Sequence, residues 1–242
     1  MRAKRAVLLA AAAIGLGAAA AGAQTIPITA TGTNTSGGKD MSWMVKCRDL
    51  VGSSEQAACA SATTFTNAIV VTASPGGWVT TPTAGGASYI SVAANASAGG
   101  SVGENPRFEY TFRTTFDLSG LNPLGTTLTL NNFWLDNYWV GYSLNGGAVI
   151  GSGISPMPNP PNGGNWTTPF QLTVNSGFTS GVNTLDLIIQ GNGATDGILV
   201  EGSLTAIPEP ATLLLLGTGL AGVGLIARRR QSRAARGAAN AA

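Results

Sequence analysis

The chain contains no histidine and only two cysteines among its 242 residues. Without histidine it has no Ser-His-Asp or Cys-His nucleophilic site and no histidine general base. Histidine-ligated zinc is excluded for the same reason. Because these sites are excluded, the hydrolytic arrangement that remains open is a pair of carboxylates, as glycosidases use. Charged side chains are scarce as well, at 10% of the residues.

Long helical apolar periodicity is missing from residues 24–206, although 50–62 is a candidate for one short helix. The clearest strand is 107–118, in which Phe108, Tyr110 and Phe112 fall on one face and polar residues on the other. This alternation is typical of a strand with one buried face. Further strands are predicted at 65–72, 88–93, 126–135, 138–144, 170–174, 183–190 and 197–206.

Turn sequences separate these strands. Asn145-Gly146 predicts a tight hairpin, because both central residues of a type I′ turn need positive φ. Residues 151–166 are rich in proline and glycine and predict a long irregular loop. Regularly spaced strands without helical crossovers predict an all-β fold, an antiparallel β-sandwich or jelly roll over 24–206 that is best defined over 64–206.

The first 23 residues predict a secretory signal peptide. A basic start precedes an apolar core at 6–20, and small residues then precede a cleavage site between Ala23 and Gln24. The apolar core is too short to form a stable spanning helix. Signal peptidase is therefore an expected partner, and residues 24–206 are expected to be exported.

The last 36 residues have three parts: Ile207-Pro208-Glu209-Pro210, an apolar run at 211–227, and arginines directly after it. The run of about 17 residues is at the lower limit for a helix that crosses a bilayer core of about 30 Å. The arginines favour a cytoplasmic location for the tail 234–242. In this order the three parts resemble the PEP-CTERM sorting signal of Gram-negative surface proteins, over residues 207–233. The alternative is an ordinary transmembrane anchor that is never cut.

The resemblance implies a route for the protein. In that family the Pro-Glu-Pro motif, here Pro208, Glu209 and Pro210, is processed by exosortase, a membrane-embedded cysteine transpeptidase. The chain would contact the inner membrane transiently, through a single transmembrane sorting helix, and would then reach the cell surface or the extracellular matrix.

The net charge of residues 24–206, the part expected to be exported, differs from that of the whole chain. Residues 24–206 contain five of the 13 basic residues and ten of the 11 acidic residues, so their net charge is about −5. A mildly acidic domain is poorly suited to bind nucleic acid through counterion release. Cys47 and Cys59 both lie in this exported part, where an oxidising compartment favours a disulfide. A metal site is the weaker alternative, because two thiols without histidine make a poor zinc site.

The second half of the exported part resembles galactose-binding-like jelly rolls, a family that includes discoidin domains and sugar-binding accessory domains of glycosidases. The resemblance covers about 100 residues and rests on phrases at 112–118, 134–137, 144–147, 170–172 and 181–185. It implies a jelly-roll fold. Such domains often hold a structural calcium ion through oxygen ligands, but no loop in this sequence has the dense Asp/Asn spacing of a calcium motif.

A carbohydrate site is predicted where stacking and hydrogen-bonding residues concentrate. Its candidate residues are Trp134, Asp136, Asn137, Tyr138 and Trp139. Trp78 and Trp166 lie beside turns where a large aromatic side chain can be exposed. The alternative is that these aromatic rings pack in the core. Trp134 and Trp139 would then lie on opposite faces unless Asp136-Asn137 forms a turn or bulge.

Spacing alone selects no pair of carboxylates for catalysis. The candidates are Glu104, Glu109, Asp117, Asp136, Asp186, Asp196 and Glu201. The sequence therefore favours a non-enzymatic exported protein without a cofactor, associated with the cell envelope or with extracellular polysaccharide in a biofilm matrix. The alternatives are a dedicated carbohydrate-binding module and a glycan hydrolase with a carboxylate pair.

Overall fold

Twelve strands make up most of the chain that the structure describes between residues 22 and 209. In chain order they are β1 (Gln24–Ile28), β2 (Thr35–Ser36), β3 (Lys39–Asp49), β4 (Thr66–Val70), β5 (Ile90–Ser91), β6 (Phe108–Asp117), β7 (Leu121–Asp136), β8 (Tyr138–Leu144), β9 (Ile154–Ser155), β10 (Asn165–Val174), β11 (Val182–Gly191) and β12 (Gly197–Pro208). The structure, a computed structural model, describes residues 22–51, 59, 62–72, 78–79, 82–99, 106–151, 154–155, 165–209, 219 and 222–224. Within these ranges helix is confined to Cys59, Gly219 and 222–224. The all-β prediction is confirmed.

The strands form one antiparallel sheet that curls on itself. Their order across the sheet is β8-β11-β6-β3-β4-β5-β12-β7-β10-β9, with β1 beside β12 and β2 beside β3. Every pairing among these strands is antiparallel, as the short turns between them require. The half centred on β6 and the half centred on β7 contribute side chains to the same core.

One large apolar core lies inside the curl. Its fully buried members include Phe108, Tyr110 and Phe112 on β6, and Leu128, Leu130 and Phe133 on β7. On β6 these are the positions that the period-two alternation assigns to the inner face, whereas on β7 a register shift between Leu130 and Phe133 changes the phase. Burial of each such side chain stabilises the fold by roughly 1.5–3 kcal/mol. The predicted disulfide between Cys47 and Cys59 is present, and both cysteines belong to this core.

A second, smaller apolar cluster covers the opposite face of β7 and β12. Trp134 on β7 and Leu199 on β12 are partners in the ladder. The described residues between 71 and 96, here called the covering segment, pack over them and include Trp78 and Tyr89, whose ring centroids are 4.1 Å apart. Trp134 thus lies between a sheet and a covering segment, which makes it part of a core.

The Asn-Gly hairpin prediction is confirmed. Asn145 and Gly146 have φ values of 54° and 71°, and the Gly147 N–H donates to the Leu144 carbonyl over 3.0 Å. These are the features of a type I′ turn. A single antiparallel bridge between Tyr142 and Ile150 continues the hairpin.

The structure also corrects the strand assignment. The prediction contains no strand before residue 64, yet β1 to β3 lie there, and Trp43, Val45 and Cys47 alternate inward along β3. The expected loop at 151–166 is shorter, because Ile154–Ser155 pairs with β10 and β10 itself begins at Asn165. The strand expected at 88–93 contracts to two residues. Of the possible helix at 50–62, residues 52–58 and 60–61 lie outside the described residues.

The two end segments fall largely outside the described residues. Residues 1–21 of the expected signal peptide are not described, whereas Gly22 and Ala23 are exposed and directly precede β1. The expected membrane span 211–227 is described only at Gly219 and 222–224, which are helical. Among the residues that the structure describes, no helix has the length and apolar character needed to cross a membrane.

Candidate functional site

The sorting motif begins inside the last strand of the domain. β12 ends at Pro208, so the first proline of the motif is still part of the sheet. Ile207 pairs with Asn122 and Pro208 with Leu121, both at the start of β7. The Glu209 N–H then donates to the Gly120 carbonyl over 3.0 Å. Pro210 lies outside the described residues.

The expected N-terminus of the exported protein lies beside this motif. β1 starts at Gln24, the residue after the predicted signal cleavage, and Gln24 is the Cα partner of Ala206 on β12. Ala206 directly precedes Ile207. Both predicted processing positions are therefore at the same end of the same pair of strands.

The predicted carbohydrate-binding residues surround the point where the chain passes from one half of the sheet to the other, here called the crossover. β7, which pairs with β12 and β10, ends at Asp136, and β8, which pairs with β11, begins at Tyr138. Asn137 connects the two strands, and the Asp136–Asn137 peptide is cis.

Asp136 is buried at this crossover. Its Oδ2 accepts a hydrogen bond from Trp78 Nε1 over 2.8 Å, while its buried Oδ1 has no hydrogen-bond partner among the described residues. Burial, reinforced by the nearby charge of Asp196, raises the pKa of Asp136 to about 7, although the Trp78 hydrogen bond opposes the shift. Asp136 therefore holds a proton more firmly than an exposed carboxyl does.

Asp196 lies deeper and is fully engaged. Its Oδ2 accepts from the Tyr110 hydroxyl over 2.8 Å and from the Gly193 N–H over 2.6 Å, and its Oδ1 accepts from Asn137 Nδ2 over 2.7 Å. Burial raises the pKa of Asp196 to about 6, and these hydrogen bonds lower it in part. Glycine is needed at position 191 beside it, because a Cβ on Gly191 would overlap the Asp196 carboxylate.

The hydrogen bonds of Asp196 tie together several segments of the domain. Its backbone N–H donates to the Ala96 carbonyl over 2.8 Å, and its carbonyl accepts from Ser91 Oγ over 2.6 Å. Tyr110 belongs to β6, and Asn137 belongs to the crossover. A residue with this set of partners anchors the covering segment, the core and the crossover to one point.

The predicted carbohydrate-binding residues fall into two groups that differ in solvent exposure. Trp134 and Trp78 are 7% and 8% exposed, so neither ring offers a free face on which a sugar can stack. Asn137, Tyr138 and Trp139 are half-buried and keep part of their surface accessible. Trp139 packs edge-on against Phe133 at 5.4 Å, in the main core, so the two tryptophans do lie on opposite faces. Trp166 belongs to β10, but its side chain is outside the described part.

The carboxylate candidates are distributed over several structural roles. Asp186 receives two hydrogen bonds from Arg113, at 2.7 and 2.8 Å, and Glu109 is bonded by Arg48 and Gln190. Glu201 accepts from Thr83 and from Asn132, which ties the covering segment to β12 and β7. Asp117 caps its own turn at Ser119, and Glu104 lies outside the described residues. Asp136 and Asp196 come together, but both are buried.

The buried Asp196 carboxylate is not arranged as a calcium ligand. Both side-chain oxygens of Asp196 accept from N–H or O–H donors, which a cation would have to displace. Within the described ranges, no group of three or more His, Cys, Asp and Glu side chains could share a metal ion. The Asp196 carboxylate is thus held by hydrogen bonds from the protein itself.

Sequence reasoning missed two structurally important sets of contacts. Asp40 is fully buried and accepts from the Gly32, Ser42 and Trp43 N–H groups, and burial raises its pKa. The alternation of β6 predicts that Tyr110 lies in the core but does not predict its hydrogen bond to Asp196. That bond has no local signal, because Tyr110 and Asp196 are 86 positions apart.

Comparison with known proteins identifies the C-terminal motif. A family model described as the PEP-CTERM protein-sorting motif matches residues 206–231. This match indicates an exported, surface-sorted protein whose motif is processed by exosortase. No curated protein matches the chain, and no solved structure matches it. The motif begins at Ala206, within β12 and opposite Gln24.

Proposed function

We propose that this protein is a non-enzymatic component of the cell envelope or of the extracellular polysaccharide matrix, delivered there by its sorting motif. The observation that carries the proposal is the sorting motif, which begins within the last strand of the β domain, so that no linker separates the two. The exported part would then be the domain 24–206, a curled antiparallel sheet that we interpret as a jelly roll.

The chemistry of the described carboxylates supports a structural role for the domain. Asp136 and Asp196 are buried, and Asp186, Glu109 and Glu201 are held by hydrogen bonds from neighbouring side chains. Glycosidases need two carboxyl groups that a sugar can reach, roughly 5–9.5 Å apart. Groups engaged within the fold serve packing and strand alignment instead.

The sorting part of the proposal is tested in cells that carry an exosortase. The variant Pro208→Ala/Glu209→Ala/Pro210→Ala is expected to retain the segment 213–242 and to stay in the inner membrane fraction. The control variant, Arg236→Ala/Asn240→Ala, changes the tail without touching the motif and should be sorted like the wild type. Normal surface delivery of the motif variant would overturn this part.

The matrix part needs its own measurement. Purified residues 24–206 should co-sediment with extracellular polysaccharide extracted from a biofilm-forming strain, and a deletion strain should release more of that polysaccharide into the medium. If the domain stays in the supernatant and the deletion strain keeps its matrix, the matrix association is wrong even though sorting occurs.

A second candidate function is a carbohydrate-binding module. It is favoured by the partial exposure of Asn137, Tyr138 and Trp139 at the crossover, because a sugar needs an accessible ring and an accessible amide in the same place. A glycan array should then show binding that Trp139→Ala abolishes. Phe65→Ala is a suitable control, because Phe65 is a half-buried aromatic residue that contacts Arg113 and Lys46 instead. Equal binding by both variants would exclude this site.

A further inference from the structure

The domain holds the backbone of Ile207, Pro208 and Glu209, at the start of the sorting motif. Ile207 and Pro208 pair with Asn122 and Leu121, and the Glu209 N–H is bonded to the Gly120 carbonyl. On β12, Ser203 to Thr205 are paired on both sides, with β1 and with β7, whereas Ala206 pairs only with Gln24 on β1. The motif is therefore continuous with a strand in the interior of the sheet.

The contact that holds the motif is separated from the rest of the ladder. Between Thr205 and Ile207 the register shifts, because the partner residue on β7 changes from Thr127 to Asn122. The residues between these two partners form a bulge at which Leu124 is 93% exposed. Ile207 to Glu209 are thus attached by a short patch of backbone pairing that can open without disturbing the main ladder.

A peptidase that binds its substrate as an extended peptide forms hydrogen bonds with the backbone N–H and C=O groups of that peptide. Enzymes and binding domains commonly pair with such a segment as if it were an added strand. In the folded domain one edge of Ile207–Glu209 is already occupied by residues 120–122. The first half of the motif therefore cannot pair along that edge while this patch is closed.

We propose that the 120–122 segment masks the sorting motif, so that exosortase acts only on molecules in which Ile207–Glu209 has detached from β7. Gly120, Leu121 and Asn122 are then positioning residues for the processing reaction, although none of them belongs to the motif. This inference rests on the proposed sorting function. It adds that the rate of sorting follows the open fraction of this patch, as proteolysis does when opening and closing are fast.

The first test separates the motif from the strand in the full-length chain. Insertion of Gly-Ser-Gly-Ser between Ala206 and Ile207 should raise the rate at which pulse-labelled precursor loses its tail, because the motif no longer continues β12. The same four residues inserted after Arg236 provide the control and should leave the rate unchanged. A processing rate that the first insertion leaves equal or lowers would overturn the masking.

The second test loosens the patch without changing the motif or the chain length. Gly120 has φ +75°, and no heavy atom lies within 4 Å of the position that a Cβ would take, so Gly120→Ala strains the backbone without a steric clash. Gly146 has φ +71° and is equally open, but it belongs to the distant Asn-Gly hairpin. Gly120→Ala should process on the order of fivefold faster, which corresponds to about 1 kcal/mol of left-handed strain. Gly146→Ala should process at the wild-type rate, and equal rates for the two variants would contradict the inference.

A third measurement does not depend on the enzyme. In the purified full-length chain, the Glu209 amide should exchange with deuterium more slowly than in the insertion variant, because it is bonded to Gly120. Equal exchange would show that the patch is open in solution and would overturn the masking. If exchange differs but no variant is ever processed, the sorting function is wrong and the masked end stands as a structural fact.

Discussion

Gln24 and Ala206 face each other across the antiparallel pair formed by β1 and β12. The first is the expected N-terminal residue of the exported protein, and the second is the first residue matched by the sorting motif. The domain therefore closes on itself at the end where both processing steps are expected. Because β1 begins at Gln24, signal cleavage at that position leaves the strand and its ladder complete.

Because the pKa of Asp136 is raised in the folded chain, we expect the free energy of unfolding to depend on pH. Burial raises its pKa from 3.8 to about 7, so between these values the folded chain binds more protons than the unfolded chain. The contribution is fully present below about pH 4 and is lost as the pH rises through about 7. The free energy of unfolding should thus decrease over this interval, as urea titrations at about pH 4.5, 6 and 8 would measure.

Asp136→Asn provides the matched variant for this prediction. The amide keeps an oxygen for Trp78 Nε1 but cannot ionise, so at about pH 8 the variant should be more stable than the wild type by on the order of 1–3 kcal/mol. Its slope with pH should be shallower without vanishing, because Asp196 and Asp40 also have raised pKa values. An unchanged slope would mean that Asp136 does not carry the effect.

Asn183 is predicted to be a stability-determining residue of the hairpin end. It is fully buried, accepts from Asn145 Nδ2 and the Thr179 N–H at 2.8 Å each, and donates to the Thr179 and Gly181 carbonyls. Asn183→Ala removes all four hydrogen bonds, although Asn145 Nδ2 keeps its bond to the Gly177 carbonyl, and should cost about 2–4 kcal/mol in urea unfolding. Asn131→Ala, the same change at an exposed position, should cost less than about 0.5 kcal/mol. Similar losses for both variants would contradict the role of Asn183.

The sequence predicted those elements whose signals are local. The period-two pattern of 107–118 and the Asn-Gly turn follow from side-chain alternation and from the positive φ of a type I′ turn, and the structure has both. The pattern of β3 is equally local, since Trp43, Val45 and Cys47 alternate inward. The outward positions between them hold apolar Met44 as well as Lys46, so the sequence has no clean alternation of apolar and polar residues there.

The candidate site could be predicted only in part. The sequence shows that Trp134 and Trp139 belong to a concentration of aromatic residues, yet the burial of Trp134 depends on the covering segment, about 40–60 positions earlier in the chain. The Asp136–Asp196 relationship likewise joins residues that are adjacent only because β7 and β12 pair. No local pattern encodes which segment folds over which face.

The disulfide should contribute to stability through the unfolded chain. Cys47 and Cys59 are 12 positions apart, and closing a loop of that length stabilises a fold by roughly 3 kcal/mol in the chain-entropy model. Reduction of the wild type should therefore lower the urea midpoint without removing either buried sulfur atom. Cys47→Ala/Cys59→Ala should be insensitive to reductant. A wild-type midpoint that reductant leaves unchanged would show that the bond adds nothing.

The two tryptophans near the crossover should respond differently to truncation. Trp134→Ala empties the second cluster and should cost about 3–5 kcal/mol in urea unfolding. Trp139 is half-buried and packs at the margin of the main core, so Trp139→Ala should cost clearly less. If Trp139→Ala were the more damaging change, the assignment of Trp134 to a core would be wrong.

The intact mass of the exported protein decides whether the chain is processed at both of its ends. We expect a polypeptide that begins at Gln24, lacks residues 213–242, and gains the mass of two hydrogen atoms on reduction of the Cys47–Cys59 bond. A cell-surface form whose mass includes the segment 213–242 would contradict processing at the sorting motif.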